Sequence, residues 1–385
     1  MRKSYKIAFD ARPAQGNNRN ITGVATYSLN IIKNFSVLVE DFDFIFIIDS
    51  TLDSSHIAFP ENSEFINTSI GRGGGLRNWI LRDYFTQIIL PQKLISMGAH
   101  LYHQPDYIIP VRATPFVIVP TFLDAIVFTP HDHRSYLAKA RDKYLLKKGA
   151  NNADAIITIS DFSKQELVKY LGIDPCKIVK IWIGISECFF SPVNKESAAS
   201  CCRKLGFNGD FIFYYGGYGQ RKNVKLLLDA FSIIRNRIDI KLVLAGNITK
   251  IIEDKIITLN LFESVKIFGF AKEEELKELL NMCSVFVFPS SMEGFGLPVA
   301  EAMACGAPVV CSDNGSLPEI AGSAAQYFER AEPKHLAFTI IKVLEDKYLR
   351  EQLKYHSKLR ARNFRWENLI LELRNMYVSL IEKII

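Results

Sequence analysis

The stretch Ser284-Val-Phe-Val-Phe288, followed closely by Ser290-Ser-Met-Glu-Gly-Phe-Gly-Leu-Pro-Val-Ala-Glu301, decides how this chain is read. Its first part is short, apolar, β-branched and aromatic, which predicts a parallel strand buried on both faces. Gly294 and Gly296 mark a turn. Pro298 suits the first position of a helix, where a missing N–H costs nothing, and Val299 to Cys305 continue that helix until Gly306 stops it. The amides of Phe295, Gly296 and Leu297 should then point out of the helix start, where unpaired donors and the positive end of the helix dipole favour an anionic or hydroxyl-rich ligand. Glu293 stands on the loop and Glu301 about one turn inside the helix. So spaced, the two carboxylates can reach different parts of one ligand and do not form a tight catalytic dyad. Carboxylates repel phosphate, so they make better sense on hydroxyls of a ribose and a sugar. The bland alternative is a capped surface helix.

A second segment has the same grammar. Phe211-Ile-Phe-Tyr-Tyr215 reads as a strand, and Gly216-Gly217, then Arg221-Lys222-Asn223, then a helical run from Val224 to Phe231 follow it. Glycines let a ligand approach the backbone. Arg221 offers a planar fork and Lys222 a point charge, a pairing suited to the charge that grows on a departing diphosphate. Without the strand and glycines, a basic dipeptide is an ordinary solvated loop.

The rest of the chain bounds the class. Its 385 residues exceed one typical core, and 48% hydrophobic with 23% charged residues is ordinary for a globular protein. No run approaches eighteen uncharged apolar residues, and Met1 to Asp10 reads as a first strand, not a signal peptide, so a cytoplasmic location is expected. Seven cysteines, Cys201 and Cys202 adjacent among them, lack paired metal spacing and predict reduced thiols. The net charge of +6 is dispersed, with no Lys/Arg block that tracks nucleic acid. The densest basic and aromatic region, Arg72 to Phe85, reads as a loop followed by an amphipathic core helix, or as a contact for an acidic acceptor headgroup or an anionic membrane.

Apolar strands alternate with helical stretches throughout, which predicts a doubly wound α/β architecture. In the first half the strands are Tyr5 to Asp10, Phe42 to Asp49, Ala99 to His103, Phe116 to Val119, Ala155 to Ser160 and Ile178 to Ile183. In the second they are Phe211 to Tyr215, Lys241 to Ala245, Val265 to Phe268, Ser284 to Phe288, Pro308 to Ser312 and Ala325 to Phe328. Two comparable sets predict two Rossmann-like domains, residues 1–190 on the acceptor side and 191–365 on the donor side. The polar segment Glu187 to Ser200 lies between them, and a closing helix occupies 366–385.

The Ser290 to Glu301 string is similar to the Glu-x7-Glu signature of retaining glycosyltransferases of GT-B architecture, in particular family 4, and Gly216 to Asn223 resembles that family's Gly-Gly-x-x-x-Arg-Lys-Asn segment. The resemblance covers nearly the whole chain. It implies two Rossmann-like domains facing a central cleft, with the last helix crossing back to the first. Glu293, Phe295, Gly296 and Leu297 are assigned by it to the donor sugar, Glu301 to the ribose and Arg221 and Lys222 to the diphosphate, with Gly294, Gly216 and Gly217 also counted as donor-binding. Asp10-Ala-Arg12 and Ile21-Thr-Gly23-Val-Ala-Thr-Tyr27 resemble the first strand, loop and helix start of mannosyltransferases of bacterial surface polysaccharide assembly, which places Gly23 near the diphosphate. Relatives often have Gly-x-Gly-Arg-Tyr there, and Thr26 offers a hydroxyl where they carry charge.

A further departure concerns catalysis. Relatives commonly read His-Asp-Leu after the fourth strand, whereas this chain reads Phe122-Leu123-Asp124-Ala125, so Leu123 replaces a histidine that faces the reacting sugar. Leucine neither donates a hydrogen bond nor bears charge. His131 and His133 are candidates to compensate, and Asp124 is an acceptor-side candidate; ordinary loop roles are the alternatives. The implied reaction moves a hexose, mannose from GDP-mannose by family likeness, onto a hydroxyl of a glycan or lipid-linked acceptor with retention, without metal or cofactor. UDP-hexoses and deoxysugar nucleotides stay open as donors. Expected partners are the nucleotide sugar, the acceptor and the inner membrane surface, not nucleic acid. The competing readings are a catalytically impaired nucleotide-sugar-binding partner, a GT-B epimerase or phosphorylase, and an NAD-dependent oxidoreductase, the last disfavoured because Gly-x-Gly-x-x-Gly does not follow the first strand.

Overall fold

The computed structural model describes residues 4–16, 23–61, 63–71, 76–106, 108–125 and 136–384, the side chains of 76 and 136–138 excepted. The chain divides into two compact units, one formed by 1–183 with 366–385 and the other by 184–365. The sequence put the passage between halves at 190/191; the compact units change over at 183/184.

In the first unit the strands β1 (Tyr5–Asp10), β2 (Phe42–Asp49), β3 (Glu64–Thr68), β4 (Leu101–Gln104) and β5 (Val117–Pro120) form one sheet in the order β3-β2-β1-β4-β5, and β6 (Ile156–Thr158) pairs with β7 (Ile178–Lys180). Every pairing is parallel. Ile7, Ala8 and Phe9 are wholly buried, as are Ile45, Phe46 and Ile47, because helices cover both faces of such a sheet. β3 is absent from the strands expected above. It is an edge strand in which only Ile66 and Thr68 are buried, so its polar residues hide the apolar signal. The last helix, Trp366–Ile381, belongs to this unit. Its Tyr377 hydroxyl hydrogen-bonds the ring of buried His103, whose other nitrogen lies 2.8 Å from Thr121 Oγ1, and Arg374 pairs with Asp41 at 2.7 Å.

Of the stretch Arg72 to Phe85, residues 72–75 lie outside the described residues, and the core helix expected after them needs correction. Helix Leu76–Tyr84 contributes no buried described side chain, and its Ile80, Leu81 and Tyr84 are exposed. The core is entered only by the π-helical turn Phe85–Ile89 that follows, through Phe85 and Thr86. The apolar spacing predicts a buried face that the described side chains of this helix do not have, and burial begins only at Phe85 and Thr86.

The second unit repeats the plan. β8 (Phe211–Tyr215), β9 (Lys241–Ala245), β10 (Val265–Gly269), β11 (Val285–Phe288), β12 (Val309–Ser312) and β13 (Ala325–Phe328) pair in the order β10-β9-β8-β11-β12-β13, all parallel. Phe213 packs on Phe286 with centroids 6.1 Å apart, and Tyr214 stacks on Phe288 at 6.3 Å. Each aromatic pair contributes about 0.5–1.5 kcal/mol beyond burial and pins the roots of the loops that leave β8 and β11. In both sheets the order reverses beside the first strand, between β1 and β4 and between β8 and β11. That reversal opens a crevice at the carboxyl ends of the strands, where ligands collect in such folds. No helix among the described residues is long and apolar enough to cross a membrane.

Candidate functional site

Two loops leave β8 and β11 side by side at the second unit's crevice. After β8, the chain turns through Gly216 and Gly217 into the short turn Gln220–Lys222, then enters helix Val224–Ile234. After β11 it runs through Ser290 to Gly296 and enters helix Leu297–Cys305, with Gly296 at the N-cap and Pro298 in the first turn. Gly296 has φ +96°, and a Cβ there would lie 2.5 Å from Leu317 Cδ2, so the turn into the helix needs glycine twice over. Pro298 is thus the second helical residue, one place later than its sequence position indicated.

The loops meet through Glu293. Its Oε1 lies 2.6 Å from Lys222 Nζ and accepts from Ser290 Oγ at 2.5 Å, while Oε2 lies 2.8 Å from Arg221 Nη1. Arg221 Nη1 also donates to Met292 O, and the Arg221 carbonyl accepts from Ser291 N at 2.9 Å, which zips the two loops together. Lys222 sits over the Phe288 ring at 4.9 Å. Burial acts to raise the Glu293 carboxyl, but the charges of Lys222 and Arg221 and the hydrogen bonds from Lys222 and Ser290 outweigh it and hold the group below the usual carboxylate range. Burial pulls the Lys222 ammonium down against the attraction of Glu293. Two cations meet one carboxylate, so the cluster keeps net positive charge under partial burial. A dianion can be accommodated there by displacing Glu293 from one or both cations.

A third loop, after β12, supports this arrangement from below. Ser316, wholly buried, donates through Oγ to the carbonyls of Glu293 at 3.0 Å and Phe295 at 2.8 Å. Gly315, at φ +64°, lies so close that a Cβ would stand 2.9 Å from both N and O of Glu293. Sequence reasoning missed Ser316 and Gly315. Their signal was topological: the loop after the next strand of a parallel sheet ends at the same edge.

Glu301 lies in the second turn of its helix and accepts a hydrogen bond from Tyr215 Oη, at the end of β8 beside Gly216. Burial pushes its carboxyl up to about 8, with the Tyr215 hydrogen bond working against that and the charge of Glu273 adding to it. A carboxyl raised in this way favours its neutral form, which can donate as well as accept a hydrogen bond.

The structure thus brings Glu293, Arg221 and Lys222 into one cluster, with Gly294 to Leu297 framing it and Gly216, Gly217 and Glu301 at the adjoining strand end. Gly23 and Asp124 belong to the first unit. Gly23 opens helix Gly23–Asn34 and is exposed; Asp124 is exposed, and half-buried Leu123 precedes it with its carbonyl accepting from Ser163 Oγ at 3.2 Å. His131 and His133 lie outside the described residues. Among the described residues no group of three or more His, Cys, Asp or Glu side chains is placed to hold a metal ion.

Comparison with known proteins places these loops in context. Residues 203–360 match the model of glycosyl transferases group 1, and residues 67–187 match that of Glycosyltransferase Family 4, between them most of the chain. The chain is 28% identical to O-antigen chain mannosyltransferase B of Escherichia coli, over 97% of this chain and 99% of that protein. It is 32% identical to serotype-specific mannosyltransferase WbdA of the same species over 74% of this chain, spanning only 37% of that longer protein. A sucrose-phosphate synthase from Thermosynechococcus elongatus superposes with a TM-score of 0.77 at 20% identity, covering 98% of this chain and 100% of the other, and shows the shared fold.

Proposed function

The chain belongs to the family 4 glycosyltransferases of GT-B architecture, and on that premise we propose that it transfers mannose from GDP-mannose to a hydroxyl of a growing surface polysaccharide, with retention of anomeric configuration. The observation that carries the reading is the Arg221–Glu293–Lys222 cluster at the strand-order reversal of the second unit. When the donor enters, Arg221 and Lys222 turn from Glu293 to the diphosphate, and the freed carboxylate faces sugar hydroxyls. As the bond between the anomeric carbon and the phosphate oxygen breaks, the two cations take up the charge left on GDP. The acceptor oxygen then bonds to the anomeric carbon on the face the phosphate leaves, and its proton passes to a phosphate oxygen. This scheme needs no covalent enzyme intermediate and no metal held by protein side chains. Glu301 takes the ribose hydroxyls. Mannose and the polysaccharide acceptor are proposed from the likeness to the two mannosyltransferases named above.

A cytoplasmic location goes with this reading. Exposed Ile80, Leu81 and Tyr84, with exposed Arg77 on the same helix, support peripheral contact with an anionic bilayer that carries a lipid-linked acceptor.

The test is a donor screen by mass spectrometry with GDP-, UDP-, dTDP- and ADP-sugars, with and without mannooligosaccharide and lipid-linked acceptors, in EDTA and in magnesium. Release of GDP with a matching hexose gain on the acceptor, unaffected by EDTA, is the expected result. Release of another diphosphate would replace the donor, and free altered sugar would mean epimerisation. Leu123 motivates a second reading, a donor-binding partner without turnover, which selective binding without release under every condition would favour.

A further inference from the structure

Inside the first unit a chain of side-chain hydrogen bonds links the closing helix to two segments at the carboxyl edge of the sheet. The Tyr377 hydroxyl, on helix Trp366–Ile381, bonds Nδ1 of His103 on β4. Nε2 of the same ring lies 2.8 Å from Oγ1 of Thr121, the residue after β5, and that Oγ1 lies 3.1 Å from Tyr27 Oη on helix Gly23–Asn34. His103 and Tyr377 are wholly buried, and Thr121 and Tyr27 nearly so. Burial keeps the His103 ring neutral, so one of its nitrogens bears a proton and the other accepts one. In either tautomer the hydroxyls can turn so that every bond of the chain runs in one direction, each strengthening the next.

An apolar residue at position 103 would suit β4, whose residues are all buried, without any demand for partners. The polar chain fixes positions instead. Thr121 opens the segment that leaves β5, and the residues after it are held from other elements as well. Its N–H donates to the Gln104 carbonyl at 2.8 Å and that of Phe122 to the Ile157 carbonyl at 2.8 Å, while the carbonyls of Phe122 and Leu123 accept from Thr158 Oγ1 at 2.9 Å and Ser163 Oγ at 3.2 Å. At the far end of the chain, Tyr27 lies about one turn inside the helix that follows β1. Both segments leave the carboxyl edge of the sheet, one on each side of β4, and that edge is where ligands collect in doubly wound folds. Tyr377 is braced independently, its ring packing edge-on against Phe42 of β2 with centroids 6.1 Å apart. Loss of its hydroxyl would leave a buried ring nitrogen unpaired and let His103, Thr121 and Tyr27 turn.

We propose that Tyr377 is a positioning residue for the transfer reaction: through His103 and Thr121 it holds the segment Phe122–Ala125, and through Tyr27 the start of helix Gly23–Asn34, in the arrangement that turnover requires. The inference rests on the transferase reading above for the reaction it serves, but the chain of bonds is read from the first unit alone.

The test uses the full chain, with GDP-mannose and mannooligosaccharide for turnover and carbon-13 methyl NMR of Leu123 and Ala125 as a readout independent of activity. Tyr377→Phe keeps the ring and removes the hydroxyl, whereas Phe42→Leu loosens the packing of the same ring and spares the bond. Both should lower the melting temperature. Only Tyr377→Phe should lower kcat, by about tenfold, with donor KM and GDP affinity unchanged, and shift both methyl signals. Thr121→Val should match it and Thr121→Ser should retain kcat. Tyr377→Phe/Thr121→Val should be no slower than the slower single variant, because both changes break one chain. A folded Tyr377→Phe with undiminished kcat or unshifted methyl signals overturns the proposal, as does an equal fall of kcat in Phe42→Leu or losses that multiply in the double variant. Absence of turnover in the unaltered protein strikes at the transferase reading instead, and the methyl signals then decide whether the chain of bonds holds the segment.

Discussion

Glu293→Gln removes one negative charge from between two cations and alters little else in shape. Glu293, Lys222 and Arg221 have side chains 10%, 16% and 25% exposed, so the cluster sits mostly out of water. Breaking a buried ion pair from one side costs about 3–5 kcal/mol. The Gln carbonyl can still accept from Lys222 or Ser290, and residual solvent screens the two cations, so a loss of about 2 kcal/mol is expected, some 4–8 °C in melting temperature for a unit of this size. Nucleoside diphosphate binding should move the other way. The carboxylate competes with phosphate for Arg221 and Lys222, so GDP should bind Glu293→Gln at least as tightly as the unaltered protein, and with a steeper salt dependence. Turnover should fall by about 100-fold, because the lost carboxylate acts on the sugar. Scanning calorimetry, GDP titration and turnover under saturating donor measure the three quantities. Equal loss of GDP affinity and turnover, or a melting temperature that does not fall, would refute the placement of Glu293 between the cations and the sugar.

Arg221→Ala should weaken GDP about 10–100-fold and flatten the salt dependence, measured by calorimetry; an unchanged dissociation constant removes Arg221 from the site. Gly315→Ala sets a methyl group against the Glu293 backbone at a left-handed φ, so it should destabilise the fold by about 1–3 kcal/mol and lower turnover through Glu293, read by denaturant melts beside kinetics. The two units should respond oppositely to pH. Burial lowers His103 from 6.5 to about 3, so the unfolded chain binds the extra proton and the first unit loses stability as pH falls from about 6.5 towards 3. Glu301 is raised from 4.5 to about 8, so its contribution is full below about 4.5 and is lost as pH rises through 8. Hydrogen exchange resolved by unit, with Glu301→Gln to flatten the alkaline limb, checks both signs.

Much of this was legible from residue order, because parallel strands buried on both faces are written as near-continuous apolar runs. β1, β2, β8, β9 and β13 have the bounds read from sequence. The donor-side loops were legible too, since glycines, a helix-start proline and charged residues sit at fixed offsets from those strands. β3 escaped because an edge strand buries only alternate positions, and the helix before Phe85 was misjudged because apolar spacing does not say whether a partner covers the face it makes. Gly315 and Ser316 act through space on a loop more than twenty residues earlier, a relation that only sheet order supplies.

The central claim is that Arg221 and Lys222 receive the departing diphosphate while the sugar is passed on with retention. Time-resolved proton NMR of the unaltered protein with GDP-mannose and α-1,2-mannobiose, beside the Arg221→Ala/Lys222→Ala variant, tests it most directly. The account predicts that GDP and a new α-mannosyl signal grow together, and that both slow by 1000-fold or more in the double variant, about 4 kcal/mol of lost transition-state stabilisation. A β-linked product, or a folded double variant with undiminished turnover, would contradict it.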